Sequence, residues 1–147
     1  MLITTDWTKE YGLPGFLIKG SIPISGIFDL EPIYYSWLQS TLRLNDDEIH
    51  KQSPLHQISD NCPPVLISYG EMESAEFKRQ SDDYCTALLK KGVDAALYVQ
   101  PGKNHFMTFH DLNDPDSQFC KRIVKFITQH KKSQLPLFKE IDMHIPL

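Results

Sequence analysis

Three apolar segments of the chain have the length and the flanking residues of β-strands. Residues 16–25 are rich in β-branched side chains, although Pro23 argues against a central position in a sheet. Residues 64–69 form an uninterrupted apolar run between turn-forming residues, which is typical of a buried parallel strand. Residues 93–99 form the third run, and a Gln-Pro-Gly turn follows it. The pattern therefore predicts three strands with long connections between them.

Two other segments carry apolar residues at the 3.6-residue spacing of an amphipathic helix. Residues 74–91 place Phe77 and Tyr84 on one face, with a serine at the start and glycine just past the end. Residues 116–130 show the same spacing. The aromatic segment 31–60, between the first two strands, predicts two short helices that cover the carboxyl end of the sheet as a cap.

Strands that alternate with helices predict an α/β fold, with a mostly parallel sheet and helices on both faces. The second strand is apolar throughout and needs neighbours on both sides. Three strands are few for such a sheet, so we expect the C-terminal half of a larger three-layer domain. In this interpretation residues 1–132 belong to one domain and residues 133–147 form a loosely ordered tail.

The composition excludes several classes of partner. The net charge is −4 with a pI near 5.8, and basic residues are scattered, which argues against nucleic acid and anionic membranes. No apolar run approaches the ~20 residues of a membrane span. The three cysteines are widely spaced, lack metal-ligand spacing and fit a reducing cytoplasm: Cys62, Cys85 and Cys120. We therefore expect a cytoplasmic protein with no metal and no cofactor.

Candidate chemistry lies where the second and third strands end. Glu71 and Glu73 follow the second strand, and His105 follows the third. Carboxyl ends of parallel strands meet at one edge of the sheet, where ligands bind in α/β proteins. Judged singly, an acidic residue before a helix and a loop histidine are common surface features. Together they predict an acid–base pair of Glu73 and His105, with Glu71 and His110 as the alternative acid and histidine.

The order of these residues matches the second half of a serine-hydrolase triad. In α/β-hydrolases the serine comes first, then the acid, then the histidine, each after a strand. The sequence has no Gly-x-Ser-x-Gly pattern, and the Gly20-Ser21 and Ser25-Gly26 pairs are not followed by a predicted helix. The sequence therefore predicts the acid and the base without the nucleophile.

The acid loop carries a family resemblance. Gly70-Glu71-Met72-Glu73-Ser74-Ala75-Glu76-Phe77-Lys78-Arg79-Gln80-Ser81 is similar to the Gly-Glu-x-Asp/Glu-Ser-x-Glu-Phe-x-Arg-Gln-Ser segment of kynurenine formamidases (arylformamidases), in the esterase/lipase branch of α/β-hydrolases. Residues 25–30 and 53–54 also resemble that family, and the likeness extends over about residues 1–130. The family's catalytic acid falls on Glu73 and its histidine on His105, while Arg79 and Gln80 are expected to anchor the acid loop.

The resemblance implies hydrolysis of N-formylkynurenine to kynurenine and formate, with His105 as general base and then general acid. It also implies that the chain starts after the nucleophile serine and is inactive alone. A small aromatic amide or ester is the expected substrate. Tyr34, Trp37 and Phe106 are the candidates to line it, and the alternative is that Tyr34 and Trp37 form the core of the cap and that Phe106 only packs beside His105. Two alternatives remain open: a fragment of a small-molecule carboxylesterase, and a non-enzymatic half-domain that associates with itself through an open sheet edge.

Overall fold

The structure is a computed structural model that describes residues 2–15 and 17–131. The predicted tail at residues 133–147 lies outside the described residues. The strands are β1 (Val65–Gly70) and β2 (Ala95–Gln100), and the helices are α1 (Trp7–Tyr11), α2 (Glu31–Tyr34), α3 (Gln39–Leu42), α4 (Asp46–Gln52), α5 (Ala75–Lys90) and α6 (Gln118–Lys131). Three short 3-10 helices are Pro54–His56, His105–Met107 and His110–Asn113. Within residues 2–15 and 17–131, no helix has the length and apolar character needed to cross a bilayer.

β1 lies between two parallel neighbours. On one side it pairs with β2 along its whole length, with Val65 opposite Ala95 and Gly70 opposite Gln100. On the other side, residues 21–24 run parallel to it through two isolated bridges. Every residue of β1 is buried, which agrees with its continuous apolar sequence. The predicted parallel pairing of these segments is confirmed.

Of the strand candidate at residues 16–25, the structure shows two isolated bridges within residues 17–25, at Ser21 and Ile24. Ser21 and Ser25 donate backbone N–H groups to carbonyls of the β1 segment at 3.0 and 2.8 Å. The intervening amide that would continue the ladder belongs to Pro23, which has no N–H to donate. Within residues 17–25, the ladder is therefore interrupted at Pro23 and reduced to two bridges.

Helices cover both faces of the sheet. Ile67 of β1 belongs to the same apolar cluster as Tyr84 of α5. Tyr98 of β2 is the register partner of Ser68 and therefore points to the opposite face from Ile67. On that face the Tyr98 ring stacks on Phe119 of α6, with 5.7 Å between centroids. The α/β architecture with helices on both sides is confirmed.

The core between β1 and α5 is centred on two stacked aromatic rings. Phe28 and Tyr84 lie 4.3 Å apart with an interplanar angle of 12°. Aliphatic side chains and a thiol complete the buried cluster: Val65, Ile67, Cys85, Leu88 and Val93. Full burial of one large aliphatic side chain contributes about 1.5–3 kcal/mol. This cluster fixes α5, and hence the loop before it, against β1.

The 31–60 segment contains three short helices where the sequence predicted two. A capping box starts α4, since Asn45 and Glu48 each accept the other's backbone N–H at 3.0 Å. The buried Ser53 hydroxyl accepts the Leu30 N–H at 2.9 Å and so ties the segment to the chain that precedes it. The function of the 31–60 segment as a cap over the sheet stays a prediction, and so does the domain boundary at residue 132.

Candidate active site

The loop between β1 and α5 holds a buried carboxylate at the edge of the sheet. Glu73 directly precedes Ser74, the extended residue at the start of α5. Its side chain has no exposed surface, and its Oε2 accepts the Gly70 N–H at 3.2 Å. Its Oε1 lies 2.6 Å from Nδ1 of His105. The two residues predicted as acid and base are therefore in direct contact.

A short capped turn after β2 presents His105 to this carboxylate. Gly102 turns the chain with a φ of +65°, a left-handed conformation that glycine adopts without strain. Asn104 Oδ1 then accepts the N–H groups of Phe106 and Met107 at 3.1 and 3.2 Å. The buried Thr108 hydroxyl donates to the His105 carbonyl at 2.9 Å. These bonds hold the backbone on both sides of His105.

Glu71, the alternative acid, has a different partner. Its carboxylate accepts the Gly102 N–H at 2.8 Å, and its own N–H donates to the Gln100 carbonyl at 2.9 Å. Glu71 thus ties the acid loop to the turn after β2. The alternative histidine, His110, begins the next 3-10 helix. Of the four candidates, the structure brings together Glu73 and His105.

The two loops approach so closely that only glycine fits at the end of β1. A Cβ atom built on Gly70 would lie 2.3 Å from the Lys103 carbonyl oxygen and 3.2 Å from Cγ2 of Thr108. The same Lys103 oxygen accepts the Met72 N–H at 2.8 Å. The missing side chain at residue 70 therefore permits the approach that places His105 against Glu73.

Two aromatic rings contact the imidazole of His105. Phe77 stacks on it with 4.7 Å between centroids and an interplanar angle of 26°. Phe106 meets it edge-on at 5.8 Å. The sequence identified Phe77 only as part of an apolar helix face. Its position four residues after Glu73, in the first turn of α5, is the signal that relates it to the site.

The three residues predicted to line the substrate lie in different places. Phe106 adjoins His105 and is 86% exposed. Tyr34 lines a cavity of about 140 Å³ inside the 31–56 segment, and Trp37 is 81% exposed. Among the described residues, no ring contact joins Tyr34 or Trp37 to His105. The structure thus brings Phe106, but not the other two, to the acid–base pair.

Gln80 and Arg79 both bind Glu76 in the first turn of α5. Gln80 Nε2 donates to Glu76 Oε1 at 2.9 Å, and Arg79 donates to the same oxygen at 2.6 Å. The hydrogen bond from Arg79 lowers the pKa of the Glu76 carboxyl. Gln80 also holds the turn after residues 21–24, because its Oε1 accepts the N–H groups of Phe28 and Asp29 at 2.7 and 2.9 Å. The role of this pair in anchoring the acid loop stays a prediction.

The geometry defines what the pair can do chemically. A buried carboxylate at Nδ1 holds a neutral imidazole with its proton on that nitrogen, which leaves Nε2 as the basic atom. The His105 side chain is 48% exposed, so a reacting group has access to it. Among the described residues, no group of three or more histidine, cysteine or acidic side chains is arranged to hold a metal ion.

Comparison with solved structures identifies the class of fold. The acylaminoacyl peptidase of Pyrococcus horikoshii superposes with a TM-score of 0.64 at 18% identity, over 83% of this chain and 22% of that one. At this identity the likeness concerns the fold alone. The described residues have the architecture of part of an α/β-hydrolase domain, with Glu73 and His105 after two adjacent parallel strands.

Two relatives of known name show which α/β-hydrolases this chain resembles in sequence. Kynurenine formamidase of Salmo salar is 29% identical in an alignment of 134 residues that covers 86% of this chain and 45% of that protein. Kynurenine formamidase of Danio rerio is 27% identical in an alignment of 132 residues that covers 86% of this chain and 44% of that protein. The chain spans slightly less than half the length of these relatives. No protein-family model matches the chain. The chain therefore resembles kynurenine formamidases, as its acid loop predicted.

Proposed function

We propose that Glu73 and His105 are the acid and the base of a serine-hydrolase triad that cleaves an aryl formamide such as N-formylkynurenine. The observation that carries the proposal is the 2.6 Å contact between Nδ1 of His105 and the buried carboxylate of Glu73. The substrate class rests on the name shared by the two fish relatives. The free cysteines, Cys62, Cys85 and Cys120, support a reducing compartment such as the cytoplasm.

The nucleophile is the part of the triad that this sequence does not supply. A serine nucleophile of this class needs a sharp strand-to-helix turn, and no Gly-x-Ser-x-Gly pattern is present in the 147 residues. The chain also matches its relatives over less than half their length. We therefore propose that the serine belongs to polypeptide outside this sequence and that the 147 residues alone do not turn over substrate.

The proposed reaction follows from the position of the free Nε2. This atom removes the proton of the serine hydroxyl while the serine oxygen attacks the formyl carbon. The imidazolium then protonates the aniline nitrogen as the carbon–nitrogen bond breaks, which releases the arylamine. Water next attacks the formyl ester and gives one proton to Nε2. The ester carbon–oxygen bond then breaks as the serine oxygen recovers that proton, and the formic acid released gives its own proton to the solvent and becomes formate. Glu73 stays ionised and holds the Nδ1–H throughout.

A chimera tests the proposal directly. This chain replaces the segment that it matches in the Salmo salar kynurenine formamidase, and kynurenine release is followed by absorbance. We expect the chimera to hydrolyse N-formylkynurenine, and Glu73→Ala or His105→Ala to lower kcat by about 10³-fold or more. Glu71→Gln and His110→Ala are the matched controls and should retain most of the activity. An active chimera that does not depend on Glu73 and His105 would refute these roles.

Native protein gives a second test that does not require the chimera to fold. The protein is captured from its source cell, its intact mass is measured, and it is treated with a serine-directed fluorophosphonate. Labelling of a species heavier than 17.0 kDa would support a nucleophile serine in polypeptide outside this sequence. An unlabelled species of 17.0 kDa with no heavier form contradicts the proposed hydrolase. Stoichiometric labelling of the 147-residue chain itself would disprove the argument that the nucleophile is absent.

A second candidate function rests on the outer edge of β2. Among residues 2–15 and 17–131, β2 has a ladder partner on one side only. Asp94 and Gln100 accept N–H groups from the β1 side, so the alternating pattern directs the backbone groups of Leu97 and Val99 outward. The strand has no lysine or proline that would discourage pairing. This edge favours association with a second copy of the chain.

The two candidates are separable by light scattering on the purified chain. Edge pairing predicts a dimer that Val99→Lys, at an exposed position of β2, converts to a monomer, whereas Leu89→Lys, at an exposed position of α5, leaves it unchanged. Glu73→Ala should not affect this dimer. A monodisperse monomer of 17.0 kDa, or a dimer that both lysine variants leave intact, would count against pairing through β2.

A further inference from the structure

One face of the His105 ring is covered by a side chain that takes no part in proton transfer. Phe77 stacks on the imidazole at 4.7 Å between centroids, with 26° between the ring planes. Phe77 is half-buried and lies in the first turn of α5, four residues after Glu73. The acid and the stacking ring therefore belong to one short, rigid stretch of chain.

The hydrogen bond to Glu73 does not by itself fix the direction of Nε2. An imidazole held only at Nδ1 can still rotate about its side-chain bonds and about the line from Nδ1 to the carboxylate. Because 48% of the His105 side chain is exposed, surrounding atoms limit this rotation only in part. A ring packed flat on the imidazole face removes the rotation, since tilting the imidazole would separate or overlap the two planes.

Phe106 does not provide the same restraint. It meets the imidazole at 78°, with 5.8 Å between centroids, and is itself 86% exposed. A ring that is free to move in solvent constrains its neighbour little. Phe77, in contrast, lies on a helix whose next turns are buried in the core through Gln80 and Tyr84.

We propose that Phe77 is a positioning residue that fixes the plane of the His105 imidazole, so that Nε2 faces the reacting group while Nδ1 stays on Glu73. The proposal deepens the proposed hydrolase function and rests on the roles given there to Glu73 and His105. The histidine is then held by two separate restraints, the Glu73 carboxylate at Nδ1 and the apolar Phe77 ring against one face of the imidazole. Without the Phe77 ring, we expect the imidazole to rotate even when the carboxylate is present.

NMR of the full chain with labelled histidine measures this restraint without any assay of activity. In the unmodified chain, the carbon-bound ring protons of His105 should be shifted upfield by the Phe77 ring, and Nδ1 should carry a slowly exchanging proton. Phe77→Leu should abolish the upfield shift and broaden or remove the Nδ1 proton signal. Phe77→Tyr keeps an aromatic plane and should restore both. Phe106→Leu is the matched control and should leave both close to the unmodified values.

The outcomes distinguish a positioning role from general packing. If Phe77→Leu keeps the Nδ1 proton and the ring-proton shifts, the proposal is wrong. If the Phe77→Leu protein does not fold, Phe77→Met is used as the non-aromatic variant. The Nδ1 proton and the ring-proton shifts of His105 are then compared between Phe77→Met and Phe77→Tyr, with the same criterion. In an active chimera, Phe77→Leu should lower kcat about tenfold with little change in KM. Intact NMR restraints in a chimera that folds but is inactive would overturn the hydrolase function and leave the positioning role standing.

Discussion

Substitution of Gly70 by alanine places one methyl group in the contact on which the acid–base pair depends. The added Cβ would lie 2.3 Å from the Lys103 carbonyl oxygen and 2.9 Å from its carbonyl carbon. An ordinary contact for such an atom begins near 3.4 Å. The loop after β2 must therefore retreat by about 1 Å, and His105 lies two residues further along that loop.

The cost follows from two terms. Overpacking of a backbone contact costs about 1–3 kcal/mol, and the retreating Lys103 oxygen weakens the 2.8 Å hydrogen bond from Met72, worth about 0.5–1.5 kcal/mol. The better strand propensity of alanine offsets about 0.5–1 kcal/mol. We therefore expect Gly70→Ala to lower the free energy of unfolding by about 1–3 kcal/mol.

Urea unfolding followed by circular dichroism measures this loss, and histidine NMR reports the geometry of the pair. The Nδ1 proton signal of His105 should weaken, because the histidine is displaced from Glu73. Gly15→Ala is the matched control, since its Cβ would meet only the Thr8 hydroxyl, at 3.2 Å. A change within about 0.5 kcal/mol for Gly70→Ala, with an unchanged His105 signal, would show that the close approach does not position the histidine.

Three further predictions concern stability. Tyr84→Phe should leave the free energy of unfolding unchanged or raise it by up to about 1 kcal/mol, because the change keeps the stack on Phe28 and removes a buried hydroxyl that has no hydrogen-bond partner among the described residues; a clear loss in urea unfolding would contradict this. Ser25→Gly should be more stable than Ser25→Ala by about 0.5–1 kcal/mol in the same assay, because residue 25 has a left-handed φ of +51°; equal stabilities would argue against backbone strain there. The hydrogen bond from Arg79 lowers the pKa of Glu76 below its ordinary value of 4.5, so this carboxylate stabilises the fold above that pH, and the contribution disappears as the pH falls through the folded value. The difference in stability between the unmodified chain and Glu76→Gln should therefore shrink between about pH 7 and pH 3, and a difference that grows in acid would refute the assignment.

The secondary structure of the βαβ unit follows closely from the sequence. The predicted strands at residues 64–69 and 93–99 correspond to Val65–Gly70 and Ala95–Gln100, and the predicted helix at 74–91 to Ala75–Lys90. Each has a strong local signal: an apolar run between turns, or 3.6-residue spacing that ends before a glycine with positive φ. Local signals of this kind are sufficient to predict a strand or a helix where the tertiary packing favours the same element.

At residues 16–25 two sequence signals disagree. The apolar, β-branched residues favour a strand, but a ladder also requires a donor at every second residue, and Pro23 lacks one. The partner of Gln80, in contrast, was inaccessible from the sequence, because its contact with Phe28 joins positions 52 residues apart in the chain. Sequence spacing reports the face of a helix that a side chain occupies, and it does not report which distant backbone lies against that face.

The acid–base pair, in contrast, is built from one contiguous stretch. Gly70 permits the approach of the two loops, Glu73 supplies the charge, Phe77 covers the ring, and Asn104 and Thr108 hold the backbone around His105. All lie in a single βαβ unit or in the loop that directly follows it, and the crossover of this unit brings the carboxyl ends of β1 and β2 to one edge. Geometry that depends on so short a stretch requires few distant contacts. This explains why the order along the chain, acid before histidine after successive strands, predicted that an acid and a histidine would meet at this edge. The structure selects Glu73 and His105 from the four candidates. The segment at 31–60 is not constrained by such a unit, and the roles of Tyr34 and Trp37 stay predictions.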